Sequence, residues 1–206
     1  MPEVPYRIGA DEYLVTLAPL YGEIKNIMEP LGTYRSHGGN HYMGRSIDDE
    51  RLKVYMQRFE DSCDMLAKHA KKLGYAVFPD LWKKTNFNYV WPQRLLLAKK
   101  DIESLVPEGM GYILINEDEW GSCDPVQKRI FMPFVEKDGK YWGPPGDDNQ
   151  AITELNRLRK TGAGFLIFWW TSFWFLDHYK DFSDYIISNY SCVLSNDRLI
   201  VYDLEV

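Results

Sequence analysis

The chain has 206 residues, of which 45% are hydrophobic and 26% charged. A compact fold of that length buries roughly 70% of the surface its extended chain exposes, and the composition excludes a disordered tail, a collagen-like fibre and a coiled coil. Net charge is −6, which argues against nucleic acid as a partner, because neutralising phosphates takes concentrated Lys and Arg.

In chain order, apolar residues at helical spacing over Asp11 to Tyr21 predict a short helix, with Gly22 as its stop and a strand-like EIKNIM after it. The next segment, EPLGTYRSHGGNHYMG, carries four glycines that forbid a continuous element, and it reads as a polar loop clustering Arg35, His37, Asn40 and His41. From Ser46, a plausible N-cap, apolar residues recur every three or four positions up to Gly74, and Asp48, Asp49 and Glu50 suit the positive end of that long helix. Residues 75–91 mix Pro79, Asn86, Asn88 and several rings without a period, and a basic helix from Pro92 to Lys100 follows.

From Val106 the pattern alternates. GYILINE and KRIFMPF read as strands, GDDNQAITELNRLRKTG as a helix capped by Asp147 or Asp148 and ended by Gly162, and AGFLIFWW as a buried strand. DHYKDFSDYIISNY reads as one helix and SCVLSNDRLIVYDL as a closing hairpin that turns at Asn196-Asp197. Strands alternating with helices of ten to fifteen residues predict an α/β fold, α+β overall. The chain then divides into a mainly helical segment with a short strand, 1–104, and a compact α/β sandwich with a mixed sheet, 105–206. Charge divides likewise: residues 1–100 hold 15 Lys/Arg against 12 Asp/Glu, and residues 101–206 hold 9 against 18.

The longest uncharged stretch, Thr161 to Leu176, has 16 residues where a bilayer needs about 20, so no membrane span is expected. The first residues lack a secretory pattern, and Cys63, Cys123 and Cys192 are odd in number and far apart. Together these features predict a cytoplasmic protein with reduced, packing cysteines.

Residues 6–42 contain an ADEYL segment followed by YRSHGGN. They resemble the C-terminal part of the catalytic domain of family 2 glycosyltransferases, whose GT-A domain ends in ADxYL and YRxHGxN segments. The resemblance implies Asp11 as the general base at the acceptor hydroxyl and His37 beside a divalent metal, Mg or Mn, and the diphosphate of a nucleotide-sugar. The residue types agree, because transfer needs a carboxylate to take the acceptor proton and donors to hold the leaving group. Read as residues alone, Asp11 equally suits a helix cap, Arg35 a surface ion pair and His37 a loop position. The metal-binding half of a GT-A domain ends in a strand-DxD, and no such pattern precedes Asp11. The chain is then either part of a longer transferase or a new use of old elements.

The second half resembles an accessory module that follows family 2 glycosyltransferase domains in bacterial surface-polysaccharide proteins. VPEG from Val106, EDEWG from Glu117, YWGPPGDD from Tyr141 and WTSFWFLDHY up to Tyr179 carry that resemblance, in order. Glu117 and Glu119 follow the strand YILI, where open α/β sheets bind ligands, and they are candidate metal ligands or simply a solvated acidic loop. Tyr141 and Trp142 on a Gly/Pro loop, with Trp174, Asp177, His178, Thr171 and Ser172 beyond the central strand, form a candidate sugar-binding crevice or plain core. Three functions follow as expectations: part of an inverting, nucleotide-sugar-dependent glycosyltransferase for surface glycan, acting on a glycan acceptor; a noncatalytic module that binds glycan or holds other catalytic domains of a larger chain; or a small transferase whose site lies in the C-terminal module.

Overall fold

The computed structural model describes residues 10–25, 27–32, 49–117 and 126–205. They form two compact units, 1–93 and 94–206, divided within one helix.

In the first unit, α1 spans Ala10–Leu17 and runs into a 3₁₀ turn, Ala18–Leu20. The long helix α2, Asp49–Lys72, begins on acids and ends on His69, Lys71 and Lys72, as the helix dipole favours. Its buried stripe is Cys63, Leu66, Ala67 and Ala70, the three-to-four-residue spacing that predicts it. Leu17 packs with Leu66 beside Leu20, Met65 and Trp82. Three expectations fail here. The described residues of EIKNIM are irregular rather than a strand, and among the described residues of this unit there is no strand for them to pair with. Residues 75–91 are largely helical, as α3 (Pro79–Thr85) and the start of α4 (Phe87–Leu105). Asn86 interrupts them in extended conformation, and its C=O accepts the Val90 N–H at 2.9 Å. Pro92 lies inside α4 instead of opening it; so near the start of a helix its missing N–H removes one bond without stopping the turn. The expected N-cap Ser46 lies outside the described residues.

The second unit is built on a five-stranded sheet in the order β2-β1-β5-β7-β6. Its strands are β1 (Gly111–Ile115), β2 (Ile130–Pro133), β5 (Ala163–Trp169), β6 (Ser191–Ser195) and β7 (Leu199–Asp203). A short ribbon, β3 (Glu136–Lys137) and β4 (Lys140–Tyr141), precedes helix α5 (Asp148–Lys160), while α6 (Trp174–His178) and α7 (Lys180–Asn189) follow β5. Strands β2, β1 and β5 are parallel, β7 is antiparallel to β5 and β6 to β7, so the mixed α/β sheet is as predicted. Strand β1 is buried throughout and β5 nearly so, which is why both read as continuous apolar runs. At their first contact Gly111 is obligatory, because a Cβ there would stand 2.5 Å from the Gly162 carbonyl oxygen.

On one face Ile113, Ile115, Leu166 and Phe168 pack with Ala151, Leu155 and Leu158 of α5, Phe175 of α6 and Phe182 and Ile186 of α7. The alternate side chains Tyr112, Leu114, Ile167 and Trp169 are equally buried. Helix α4 from Arg94 onward is tied to the sheet by Arg198, which donates to Asp101 from Nε and Nη2 at 3.2 and 3.0 Å, and by Arg129, which donates to the Glu103 carbonyl at 2.8 Å. The hairpin turns at Asn196-Asp197 as predicted, with Asn196 Oδ1 accepting the Arg198 and Leu199 N–H groups.

The predicted helix over DHYKDFSDYIISNY is two helices. Tyr179 leaves helical conformation between them, with ψ at 81°, because its ring turns into the core and its hydroxyl donates to the Pro145 carbonyl at 2.6 Å. Of the cysteines, Cys63 is buried, Cys192 is exposed on edge strand β6 and so is not a packing residue, and Cys123 lies outside the described residues.

Candidate functional site at the carboxyl ends of the parallel strands

Strands β1, β2 and β5 run in one direction, so the segments leaving them gather at one edge of the sheet. This is the edge at which α/β sheets hold ligands. Glu117 leaves β1 with φ at 51°, a left-handed conformation uncommon outside glycine. Trp174 opens α6, and its Nε1–H donates to Glu117 Oε1 at 2.5 Å. A carboxylate acceptor makes this a charge-assisted bond, stronger than one between neutral groups. The indole keeps 41% of its surface exposed, with Phe175 beneath at 5.5 Å and the His178 ring edge-on at 5.6 Å. Glu117, Trp174 and His178 thus share one locus. Asp177 belongs to its rim: the carboxylate is exposed and pairs with Lys180 at 3.2 Å. Thr171 is exposed, whereas Ser172 is fully buried, so the Ser172 hydroxyl is not presented to a ligand.

Strand β2 feeds the β3–β4 ribbon, which turns through Asp138 and Gly139, both at positive φ. Two such residues in succession make the tight turn whose twist matches a hairpin, and Asp-Gly is its characteristic sequence. Side chains alternate across a ribbon. Glu136 and Tyr141, which pair in register, occupy one face, while Lys137, Lys140 and Trp142 occupy the other. Tyr141 and Trp142 therefore point to opposite sides.

The Glu136 face is bolted to α5. Glu154, 8% exposed, accepts the Glu136 N–H at 2.8 Å and the Arg157 guanidinium at 2.7 and 2.9 Å. Arg157 also reaches the Glu136 carboxylate and its carbonyl. The Gly139 N–H and the guanidinium hold the Glu136 carboxyl below its ordinary value, and the Glu154 and Glu136 carboxylates raise Arg157 above its own. On the outer face Trp142 is 67% exposed, with Lys137 Nζ 4.1 Å from its ring centroid. Its backbone N–H donates to the Val135 carbonyl at 2.9 Å, so an exposed ring stands on a braced support.

Asp147 and Asp148 both serve helix ends. Asp147 Oδ1 accepts the Gln150 N–H at 2.8 Å, capping α5, and Asp148 Oδ1 accepts the Phe182 N–H at 2.9 Å in the first turn of α7. Burial and the Asp148 charge together push the Tyr179 hydroxyl above its usual pKa.

The remaining predicted residues are placed only in part. Asp11 lies on α1, with its side chain outside the description, and Arg35, His37, Asn40 and Glu119 lie outside the described residues. Of the expected metal ligands only Glu117 is described, with one oxygen engaged by Trp174. Among the described residues no three His, Cys, Asp or Glu side chains form a metal-holding group.

Sequence reasoning missed the Glu136–Glu154–Arg157 cluster and the Arg94 guanidinium, which lies 5.0 Å from the Trp170 ring centroid and donates to the Asp197 carbonyl. The Asp-Gly pair and the Glu154/Arg157 spacing of three were the available signals for the first; nothing local announces the second. No helix of the described residues is long and apolar enough to cross a membrane. No family model, no curated protein and no solved structure matches the chain.

Proposed function

We propose that the α/β unit binds saccharide in the service of glycosyl transfer, with Trp142 and Trp174 as stacking rings and Glu117 and His178 as polar partners of sugar hydroxyls. The observation that carries this reading is the exposure of Trp142, 67%, on a ribbon fixed to α5 through Glu136, Glu154 and Arg157. A large ring held rigidly in water forgoes its own burial, and it offers a flat apolar face at little entropic cost to a ligand that has one. A sugar ring has such a face, with hydroxyls around its rim that suit a carboxylate and an imidazole.

Within a complete transferase the resemblance of residues 6–42 gives the chemistry. Asp11 would take the acceptor proton and His37 would serve the diphosphate of a nucleotide-sugar, with Arg35 and Asn40 as further substrate-binding candidates by residue type. A divalent metal, Mg or Mn, would neutralise the leaving diphosphate when bound, with His37 as the group proposed to approach it; Glu117 and Glu119 are proposed separately, as candidate metal ligands within the α/β unit. This part rests on the sequence resemblance.

The test is calorimetric titration of the 206-residue chain with neutral manno- and rhamno-oligosaccharides and with UDP-glucose. Binding that weakens by about 1–3 kcal/mol in Trp142→Ala, the share of one exposed ring face, with an unchanged melting temperature supports the reading. Silence across the panel overturns it.

A further inference from the structure

We propose that the outer face of the β3–β4 ribbon is an anion subsite, and that the saccharide bound there carries a carboxylate or phosphate group. The inference deepens the saccharide reading and rests on it.

Three observations lead to it. Lys137 and Lys140 stand directly opposite each other in the ribbon's register, a placement in which like charges repel. Neither forms an ion pair among the described residues, although residues 101–206 hold 18 Asp/Glu against 9 Lys/Arg. The nearest acid on the strands, Glu136, is on the opposite face and already satisfied by Arg157 and the Gly139 N–H. Asp138, in the turn between the two lysines, is the one other acid of the ribbon, which leaves the outer face with a net positive charge.

The same face carries Trp142. Lys137 covers one side of its ring at 4.1 Å, the diagonal contact that a residue makes with the neighbour two positions beyond its cross-strand partner. The other side is left for a sugar. An anionic group on that sugar, reaching past the edge of the indole, would draw the Lys140 and Lys137 ammonium groups toward it, offsetting their repulsion and forming charge-assisted hydrogen bonds. Rigidity sharpens the site, because the Glu136 bonds to α5 hold the outer face in place before the ligand arrives.

The anion has two possible sources, an acidic sugar within a glycan or the diphosphate of a sugar nucleotide, and the experiment separates them. The full chain is titrated, at low and at physiological salt, with tri-galacturonate, mannotriose, UDP-glucose and inorganic pyrophosphate. Tighter binding of tri-galacturonate or of UDP-glucose than of mannotriose, by tenfold or more at low salt, is the expected result, and the tighter of the two identifies the source. Lys137→Gln/Lys140→Gln should abolish that preference while mannotriose binding changes less than twofold, and Trp142→Ala should weaken both. Mannotriose bound as well as both anionic sugars overturns the subsite and leaves the saccharide reading standing. No binding of any sugar overturns both. Pyrophosphate bound as tightly as the anionic sugars, with no effect of Trp142→Ala, reduces the face to a bare anion site and overturns the proposal as stated. Circular dichroism of each variant is expected to match the parent, since all three side chains are exposed.

Discussion

Asp148 Oδ1 accepts the Phe182 N–H at 2.9 Å, so the first turn of α5 caps the first turn of α7 across 34 residues of chain. Asp147 beside it caps its own helix through the Gln150 N–H. Both adjacent acids are thereby engaged by backbone donors. Asp148→Ala should lower stability by ~1–2 kcal/mol and Asp147→Ala by ~1 kcal/mol, the usual effect of losing a cap. Asp148→Asn keeps an acceptor oxygen and should lose less than Asp148→Ala. Urea unfolding gives the three values, and equal losses in Asp148→Asn and Asp148→Ala would sink the capping role.

Glu136 gives the fold a pH dependence with a definite sign. The Gly139 N–H and the Arg157 guanidinium hold its carboxyl below the ordinary 4.5. A depressed value in the folded state stabilises the protein above the unfolded value, and that contribution is lost as pH falls from about 4.5 through the folded value. Glu136→Gln should therefore cost ~1–2 kcal/mol at pH 7, where a charged partner of Arg157 is removed, and the gap between variant and parent should narrow as pH falls through the folded value. Denaturant midpoints recorded at successively lower pH from 7 check this, and a gap that does not narrow at all before acid unfolding would remove Glu136 from the acid response.

The sheet was readable because burial on both faces leaves a local trace. GYILI and AGFLIFW are apolar without interruption, and only a central strand tolerates that. Helix α5 was readable from its cap and its period. The break at Tyr179 was not, since it depends on a hydroxyl reaching Pro145, 34 residues earlier. Likewise the indole of Trp174 was visible as a ring beside polar groups, but its bond to Glu117 joins residues 57 apart. Trp142 and Tyr141 looked alike as neighbours in one loop; the Asp-Gly turn that makes them alternate residues of a ribbon assigns them to different faces.

Buried groups near β5 separate core from crevice. Ser172 Oγ is fully buried and has no hydrogen-bond partner among the described residues. An unmet hydroxyl in an apolar site costs free energy, so Ser172→Ala should leave stability unchanged or raise it by up to ~1 kcal/mol. Phe175, 2% exposed and in contact with Phe134, Phe168 and Phe182, should cost ~3–5 kcal/mol when cut to Ala. Thermal melts measure both. A Ser172→Ala variant destabilised by more than ~1 kcal/mol would mean the hydroxyl has a partner after all.

The last prediction concerns Trp174 and Glu117 as a pair. The indole N–H occupies one carboxylate oxygen at 2.5 Å, and on the saccharide reading the other would accept from a ligand hydroxyl, each residue holding the other in position. Both are exposed at the surface, and their bond therefore contributes little to folding. Trp174→Phe keeps an aromatic face and removes only the N–H; its stability should change by less than ~1 kcal/mol, while binding of a neutral oligosaccharide should weaken by ~1 kcal/mol as Glu117 loses its orientation. Glu117→Ala should weaken binding more, by ~1–2 kcal/mol, because the acceptor itself is gone. In a double-mutant cycle read on binding, the combined variant should lose less than the sum of the two, with a coupling of ~0.5–1.5 kcal/mol, since removing either partner already removes the shared geometry. Strict additivity would show that the two residues act separately, and the same cycle read on stability should show a coupling near zero.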